Sequence, residues 1–193
     1  MSESLTLSEP KTLTDAIAAL QDACGNMLPY LDQVEEIRVK GKKGFVLVIY
    51  DPASDNYQEI EIGDVKDPLK YIEAAKGKIS ALKQHPDWVS SAENATLPAG
   101  ERARIHYSTY RRPDGSLLAD EEVPAGGLRI RFGEVDNQVE MLCALFGLPP
   151  AYDEAFLLAS LDKSRLVQPE QSLMIARINP QEVYSKTSFF MPT

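Results

Sequence analysis

Apolar and polar positions recur along most of this chain with one of two periods, and each period predicts an element. Leu13, Ile17, Leu20 and Cys24 follow helical spacing, so a first helix is expected, capped by Thr14 and ended by Gly25-Asn26. Ile37-Arg38-Val39-Lys40 alternates in steps of two, as a half-buried strand does, and Gly41-Lys42-Lys43-Gly44 supplies a turn. Phe45 to Tyr50 is a continuous apolar run rich in β-branched and aromatic residues, which predicts a central strand covered on both faces. Turn signals at Asp51-Pro52 and Asp55-Asn56 follow, and residues 57–62 alternate again as a third strand. Asp67-Pro68 then offers a capping residue and a first-turn proline. The helix they open should bury Leu69, Ile72, Ala75, Ile79 and Leu82.

A second series begins beyond a polar stretch that contains Trp88. Ala103, Ile105 and Tyr107 alternate with Arg102, Arg104 and His106, and Arg112-Pro113-Asp114-Gly115 is a turn signal. Leu117-Leu118 marks a short strand, and Leu128, Ile130 and Phe132 alternate with Arg129 and Arg131 as another. Val135, Val139, Leu142, Cys143 and Phe146 predict a helix, with Asn137 and Glu140 as a capping pair. Leu148-Pro149-Pro150 opens a further helix that carries Tyr152, Ala155, Phe156 and Ala159 on one face. Residues 172–178 predict a last strand, and Phe189-Phe190-Met191 an apolar end that docks on its own core or on another subunit.

The two series echo each other seventy residues apart. Ile60, Gly63, Val65, Ala74 and Gly77 recur as Ile130, Gly133, Val135, Ala144 and Gly147. The expected fold class is therefore α+β: two similar antiparallel βββα units related by a pseudo-twofold, with an extra C-terminal helix and strand. The expected division is an N-terminal helix plus first unit over 1–83, a linker over 84–101, and the second unit with its C-terminal elements over 102–193, the whole forming either two domains or one merged domain. In element order alone, helix, three strands and helix, each unit resembles a double-stranded-RNA-binding domain. The lysine-rich start of that family's second helix is missing, since Asp67-Pro68-Leu69-Lys70 and Asn137-Gln138-Val139-Glu140 stand there.

Composition narrows the chemistry. A length of 193 residues with 44% hydrophobic and 25% charged content suits a globular protein with a sizeable core. No apolar run approaches a membrane span, and the first residues lack a secretion signal, so a cytoplasmic location without a membrane partner is expected. Cys24 and Cys143 are isolated, which predicts reduced, buried thiols rather than a disulfide or zinc site. The net charge of -9 argues against bulk nucleic-acid binding.

Against that acidic background, six of the nine arginines fall between residues 102 and 131. Arg102, Arg104, His106, Arg111, Arg112, Arg129 and Arg131, with Tyr107 and Tyr110, form the candidate ligand- or partner-binding set, because guanidinium forks suit phosphates and carboxylates. The other reading is a solvated face paired with nearby Asp and Glu residues. Glu59 and Glu61 stand where the second series has Arg129 and Arg131, so opposite charge at matching sites suggests a dimer contact, to which Phe189 and Phe190 are added. His106 is the one candidate for catalysis, with Arg104, Arg131 and Tyr107 or Tyr110. No zinc, P-loop, nucleophile-elbow or dinucleotide motif is present, and neither metal nor cofactor is expected. Asp51, Asp55, Glu59 and Glu61 read as water-facing acids rather than a cation site. The preferred expectation is a non-enzymatic interaction or regulatory protein that binds a protein partner or itself. The alternatives are a binder of nucleic acid or a phosphorylated ligand through the arginine face, and an enzyme centred on His106.

Overall fold

The computed structural model describes residues 10–178 and 183–190. Its chain order is α1 (Leu13–Met27), α2 (Glu35–Val39), β1 (Lys43–Asp51), β2 (Asn56–Asp64), α3 (Pro68–Gln84), β3 (Arg104–Ile105), β4 (Glu121–Glu122), β5 (Gly127–Phe132), β6 (Val139–Phe146), α4 (Pro150–Lys163), α5 (Pro169–Ile178) and α6 (Val183–Phe190). Four strands form one antiparallel sheet in the order β2-β1-β6-β5, and β3 with β4 make a separate two-stranded ribbon. The architecture is α+β, as expected. Because β1 pairs directly with β6, Val46 opposite Phe146 through Tyr50 opposite Leu142, residues from both sequence series share a single sheet.

The sheet is covered on both sides. Phe45, Leu47 and Ile49 of β1 point toward α1, α4 and α6, together with Met141, Cys143 and Leu145 of β6. Val46, Val48 and Tyr50, with Leu142 and Ala144, point the other way onto Ala74, Ala75, Ile79 and Leu82 of α3. Each face alternates along the strand, so the continuous apolar run of β1 is buried on both sides as its sequence predicted. Burial at ~25 cal/mol per Å2 of apolar surface makes these two layers the main source of stability.

Several expectations require correction. The strand expected at 37–40 is α2: Ile37 is buried while Val39 is 76% exposed, and Glu35 and Glu36 occupy its first turn, where the helix dipole favours acids. The first helix is capped by Thr12, whose hydroxyl accepts from the Asp15 amide, and it continues to Met27. Pro68 opens α3 as read, but the Asp67 side chain makes no capping bond, and Leu69 is exposed. The segment at 172–178 lies in α5 rather than a strand.

The largest correction concerns 135–146. A 3-10 turn at Val135–Asn137 follows Gly133, and β6 then runs from Val139 to Phe146. The spacing of Val139, Leu142, Cys143 and Phe146 fits a helix. Pairing on both sides, with β1 and with β5, overrides that local preference. The element order of the second series thus departs from that of the first, and from the order of the RNA-binding domains it resembled. What recurs is local: a glycine with positive φ stands one residue before the end of β2 and one residue after the end of β5, +75° at Gly63 and +96° at Gly133. The first glycine sends the chain into α3, whereas the second begins the turn of the β5–β6 hairpin.

Candidate functional site

The arginine set does not converge. Arg102 and Arg104 sit on or beside the β3–β4 ribbon, and Arg129 and Arg131 on the outermost strand β5. Most are engaged within the chain. Arg102 pairs with Glu122 at 2.9 Å and donates to the Leu97 and Ala95 carbonyls. Arg104 donates to the Asp120 carbonyl at 2.7 Å, and His106 contacts the Asp120 carboxylate at 2.7 Å. Arg111 and Arg112 are exposed on the turn after Tyr110, where the Arg112 amide donates to Ser116. Tyr107 is buried and donates to Glu121, and Tyr110 meets it edge-on with centroids 6.4 Å apart.

The residues proposed around His106 divide between two places. Arg104 and His106 line a cleft of about 500 Å3 over α3, with Glu59, Glu73, Lys76, Ser108 and Thr109, while Arg131 lines a different groove. At the cleft, one carboxylate of α3 organises a loop. Glu73 accepts from the amides of Ser108, Thr109 and Tyr110 and from the Ser108 and Thr109 hydroxyls, at 2.7–3.0 Å. Burial alone raises the Glu73 carboxyl, but the Thr109, Tyr110 and Ser108 donors together outweigh it and hold it at about 2. This carboxylate ties the loop to α3.

Glu59 pairs with Lys76 of α3, and it lies with Glu61 on β2. Since β2 and β5 are opposite edges of the sheet, Glu59 and Glu61 do not meet Arg129 and Arg131 within one chain. Phe190 docks on its own core, 5.2 Å from the Phe156 ring, whereas the Phe189 side chain and Met191 lie outside the described residues. Asp51 and Asp55 serve their turn, accepting from Ser54 and Tyr50 respectively.

The other large concavity runs along the outer edge of β5. It has a volume of about 650 Å3, within the ~300–1,000 Å3 typical of ligand clefts. One wall is the turn and following segment through Pro86, Trp88 and Val89, and the opposite wall is α5 with the preceding turn, contributing Val167, Met174 and Ile175. Ile130 forms part of the apolar lining. Met174 is 65% exposed there.

Local chemistry explains the shape of this groove. The first wall is pinned through its backbone: Arg129 N–H donates to the Val89 carbonyl at 2.8 Å, and Val89 N–H donates to the Glu93 carboxylate at 2.8 Å. Arg129 reinforces it, donating to the Trp88 and Leu82 carbonyls and pairing with Glu140 at 2.6 Å. Arg131 reaches the same Glu140 at 2.8 Å. Burial raises the Glu140 carboxyl, yet Arg131 and Arg129 together hold it below the ordinary glutamate range. Two guanidiniums thus share one carboxylate; Asp87 and Arg177 also line the groove, so three arginines face two carboxylates there.

Behind that wall lies a polar lock within the core. Lys78 of α3 is fully buried and donates to the Leu145 carbonyl at 2.6 Å and to Asp153 at 2.8 Å. Asp153 also accepts the Leu148 amide at 2.9 Å. Its neighbour Glu154 accepts the Ser90 hydroxyl at 2.8 Å and the Gly126 amide at 3.2 Å. Burial pushes Asp153 up to about 6, against the pull of Lys78, and pushes the Lys78 ammonium down. The lock joins α3, α4, the end of β6 and the segment that carries Trp88.

Sequence reasoning found Arg129 and Arg131 but missed the apolar walls of the groove, because 172–178 was assigned to a strand and Trp88 to a linker. It missed the lock because helical stripes were searched for apolar residues. A signal was present: Lys78 follows Ala75 by three positions on the buried stripe of α3, and Asp153-Glu154 interrupts an otherwise apolar helix.

Among the described residues no helix is long and apolar enough to cross a membrane, and no group of His, Cys, Asp and Glu is arranged to hold a metal ion. Comparison with protein-family models, curated proteins and solved structures finds no match.

Proposed function

We propose that this chain is a non-enzymatic interaction protein that engages a protein partner in the groove along β5. The observation that carries the reading is the coincidence of an open sheet edge with an apolar trough in which Met174 stands 65% exposed. An apolar trough with a charged margin is the usual composition of a partner site. Buried free thiols at Cys24 and Cys143 suit a reducing compartment such as the cytoplasm. The phosphate-binding alternative has less support, because the arginines do not converge on one site: Arg102 and Arg104 belong to the β3–β4 ribbon, and Arg129 and Arg131 to β5.

The test immobilises the full chain and challenges it with lysate of its source cells. Met174→Glu alters the groove, and Leu69→Glu alters an equally exposed residue of the α3 cleft, so neither should disturb the fold. A protein retained by the parent and by Leu69→Glu, but lost with Met174→Glu, is the expected result. Equal retention by all three refutes the reading, and release of the retained material by nuclease favours the nucleic-acid alternative.

A further inference from the structure

The backbone of β5 narrows what kind of partner segment the groove takes. Arg129 N–H points away from β6, since it donates to Val89 in the flanking segment. Strand geometry repeats every two residues, so the amide and carbonyl of Arg131 face outward as well. The flanking segment makes its bridge at Ser90 and Leu128, and β5 has no further strand neighbour on that side. An open stretch of edge therefore lies beside the apolar trough, ending where the chain turns at Gly133.

We infer that the groove accepts an extended peptide segment of a partner protein, which adds a short strand to β5 and presents an acidic side chain to Arg131. This rests on the groove being the partner site. Three features select that occupant. The outward amide and carbonyl of Arg131 fit another strand and leave a compact helix unmatched. Their small number means that apolar side chains in the trough, against Val167, Met174 and Ile175, must supply most of the affinity. Arg129, Arg131 and Arg177 stand against Glu140 and Asp87 in the groove, a surplus of one positive charge in a chain of net charge -9, so an acidic residue beside Arg131 is attracted and a basic one repelled. Arg131 is 60% exposed and reachable without displacing the core.

Trp88, the chain's one tryptophan, lines the groove and reports occupancy by its emission. The probe is a capped octapeptide of alternating valine and threonine with one central glutamate. Two controls replace the glutamate with lysine or N-methylate alternate amides. The glutamate peptide should shift Trp88 emission saturably, the lysine peptide should bind about tenfold more weakly at low salt, and the methylated peptide should give no saturable shift. Arg131→Gln, with its fold checked by circular dichroism, should shrink the preference for glutamate over lysine to less than about threefold.

Equal binding of all three peptides, or no saturable shift up to millimolar peptide, overturns the inference. So does self-association of the parent that Glu59→Lys and Glu61→Lys abolish, since β2 of a second copy would then be the occupant. If Met174→Glu still abolishes capture of a protein while the peptides fail, the groove takes a folded surface, and the extended-strand inference fails although the partner reading stands. If Met174→Glu leaves capture unchanged, the partner reading itself fails.

Discussion

Replacing Lys78 by methionine should be among the most damaging single substitutions in this protein, and its cost should depend on pH. Lys78 and Asp153 are both fully buried and 2.8 Å apart. Methionine fills a similar volume but leaves the Asp153 carboxylate with the Leu148 amide as its remaining bond in this set, and leaves the Leu145 carbonyl without its ammonium donor. Breaking a buried pair in this way costs about 3–5 kcal/mol. Part of that cost is protonation. If the stranded carboxyl folds only as the neutral acid, folding at pH 7 must protonate a group whose ordinary value is 3.8, at ~1.4 kcal/mol per pH unit, or about 4 kcal/mol. The parent, with Asp153 at about 6, already bears about 3 kcal/mol of this, so the protonation part of the gap is about 1.4 kcal/mol at pH 7 and close to zero at pH 5.

The pH dependence has a definite sign. A carboxyl whose folded value lies above its unfolded one binds more protons when folded, so its contribution is fully present below the unfolded value and is lost as pH rises through the folded one. The parent loses stability from this source between about pH 4 and 6, with Asp153 at about 6. The variant, with no ammonium opposite, goes on losing it above pH 6. Urea unfolding followed by circular dichroism from pH 5 to 8 should therefore show a gap between variant and parent that is small at pH 5 and widens toward pH 8. Lys78→Met combined with Asp153→Asn removes both charges while keeping an acceptor for Leu148, and should recover to within ~2 kcal/mol of the parent. A defect for Lys78→Met below ~1 kcal/mol, or one that does not change with pH, would refute the assignment of Lys78 as the partner that keeps Asp153 charged.

Glu73→Gln should loosen the loop at 108–110, speeding amide exchange there and costing about 1–2 kcal/mol, a figure reduced for the site's partial exposure. Because the Glu73 carboxyl is held at about 2, its contribution is present above about pH 4.5 and is lost as pH falls toward 2; an acid titration of stability should therefore be flatter in the Gln variant. Gly126→Ala should be destabilised by about 3 kcal/mol or more in thermal melts, since φ is +103° and a Cβ would stand 2.7 Å from the Asp153 Cβ and 2.8 Å from the Lys78 Nζ. Cys24 and Cys143 should resist a thiol reagent at pH 8 until urea unfolds the chain, because burial pushes Cys24 up to about 12 and Cys143 higher still. Rapid labelling of the native protein would contradict their burial.

Local periodicity was enough for the elements whose pattern extends over many residues. The first helix, the doubly buried strand at 45–50, the strand at 57–62 and the proline-opened α3 were all legible, because a long stripe or a long apolar run leaves few alternatives. Gly63 and Gly133 were also legible as matching glycines of the two series, and both have positive φ. The segments that were misread are short or ambiguous. Ile37 and Val39 suggest alternation, but only Ile37 is buried. Leu142, Cys143 and Phe146 satisfy helical spacing and a doubly buried strand equally well.

Only the tertiary structure decided between those readings, and the reason is nonlocal. β6 is a strand because β1 and β5 flank it, and no window of sequence contains those neighbours. The same holds for the site. Composition marked the arginines as unusual, yet whether an arginine is a ligand or an internal partner depends on which carboxylate the fold brings beside it. Glu140 stands next to Arg129 and Arg131 only through the β5–β6 register. Lys78 and Asp153 are seventy-five positions apart, and their pairing exists only because α3 and α4 pack near the same end of β6. The sequence by itself determined the α+β class and the chemistry available at the surface. The packing decided which charges are spent inside the chain and left the outer edge of β5, with its apolar trough, without a further strand among the described residues.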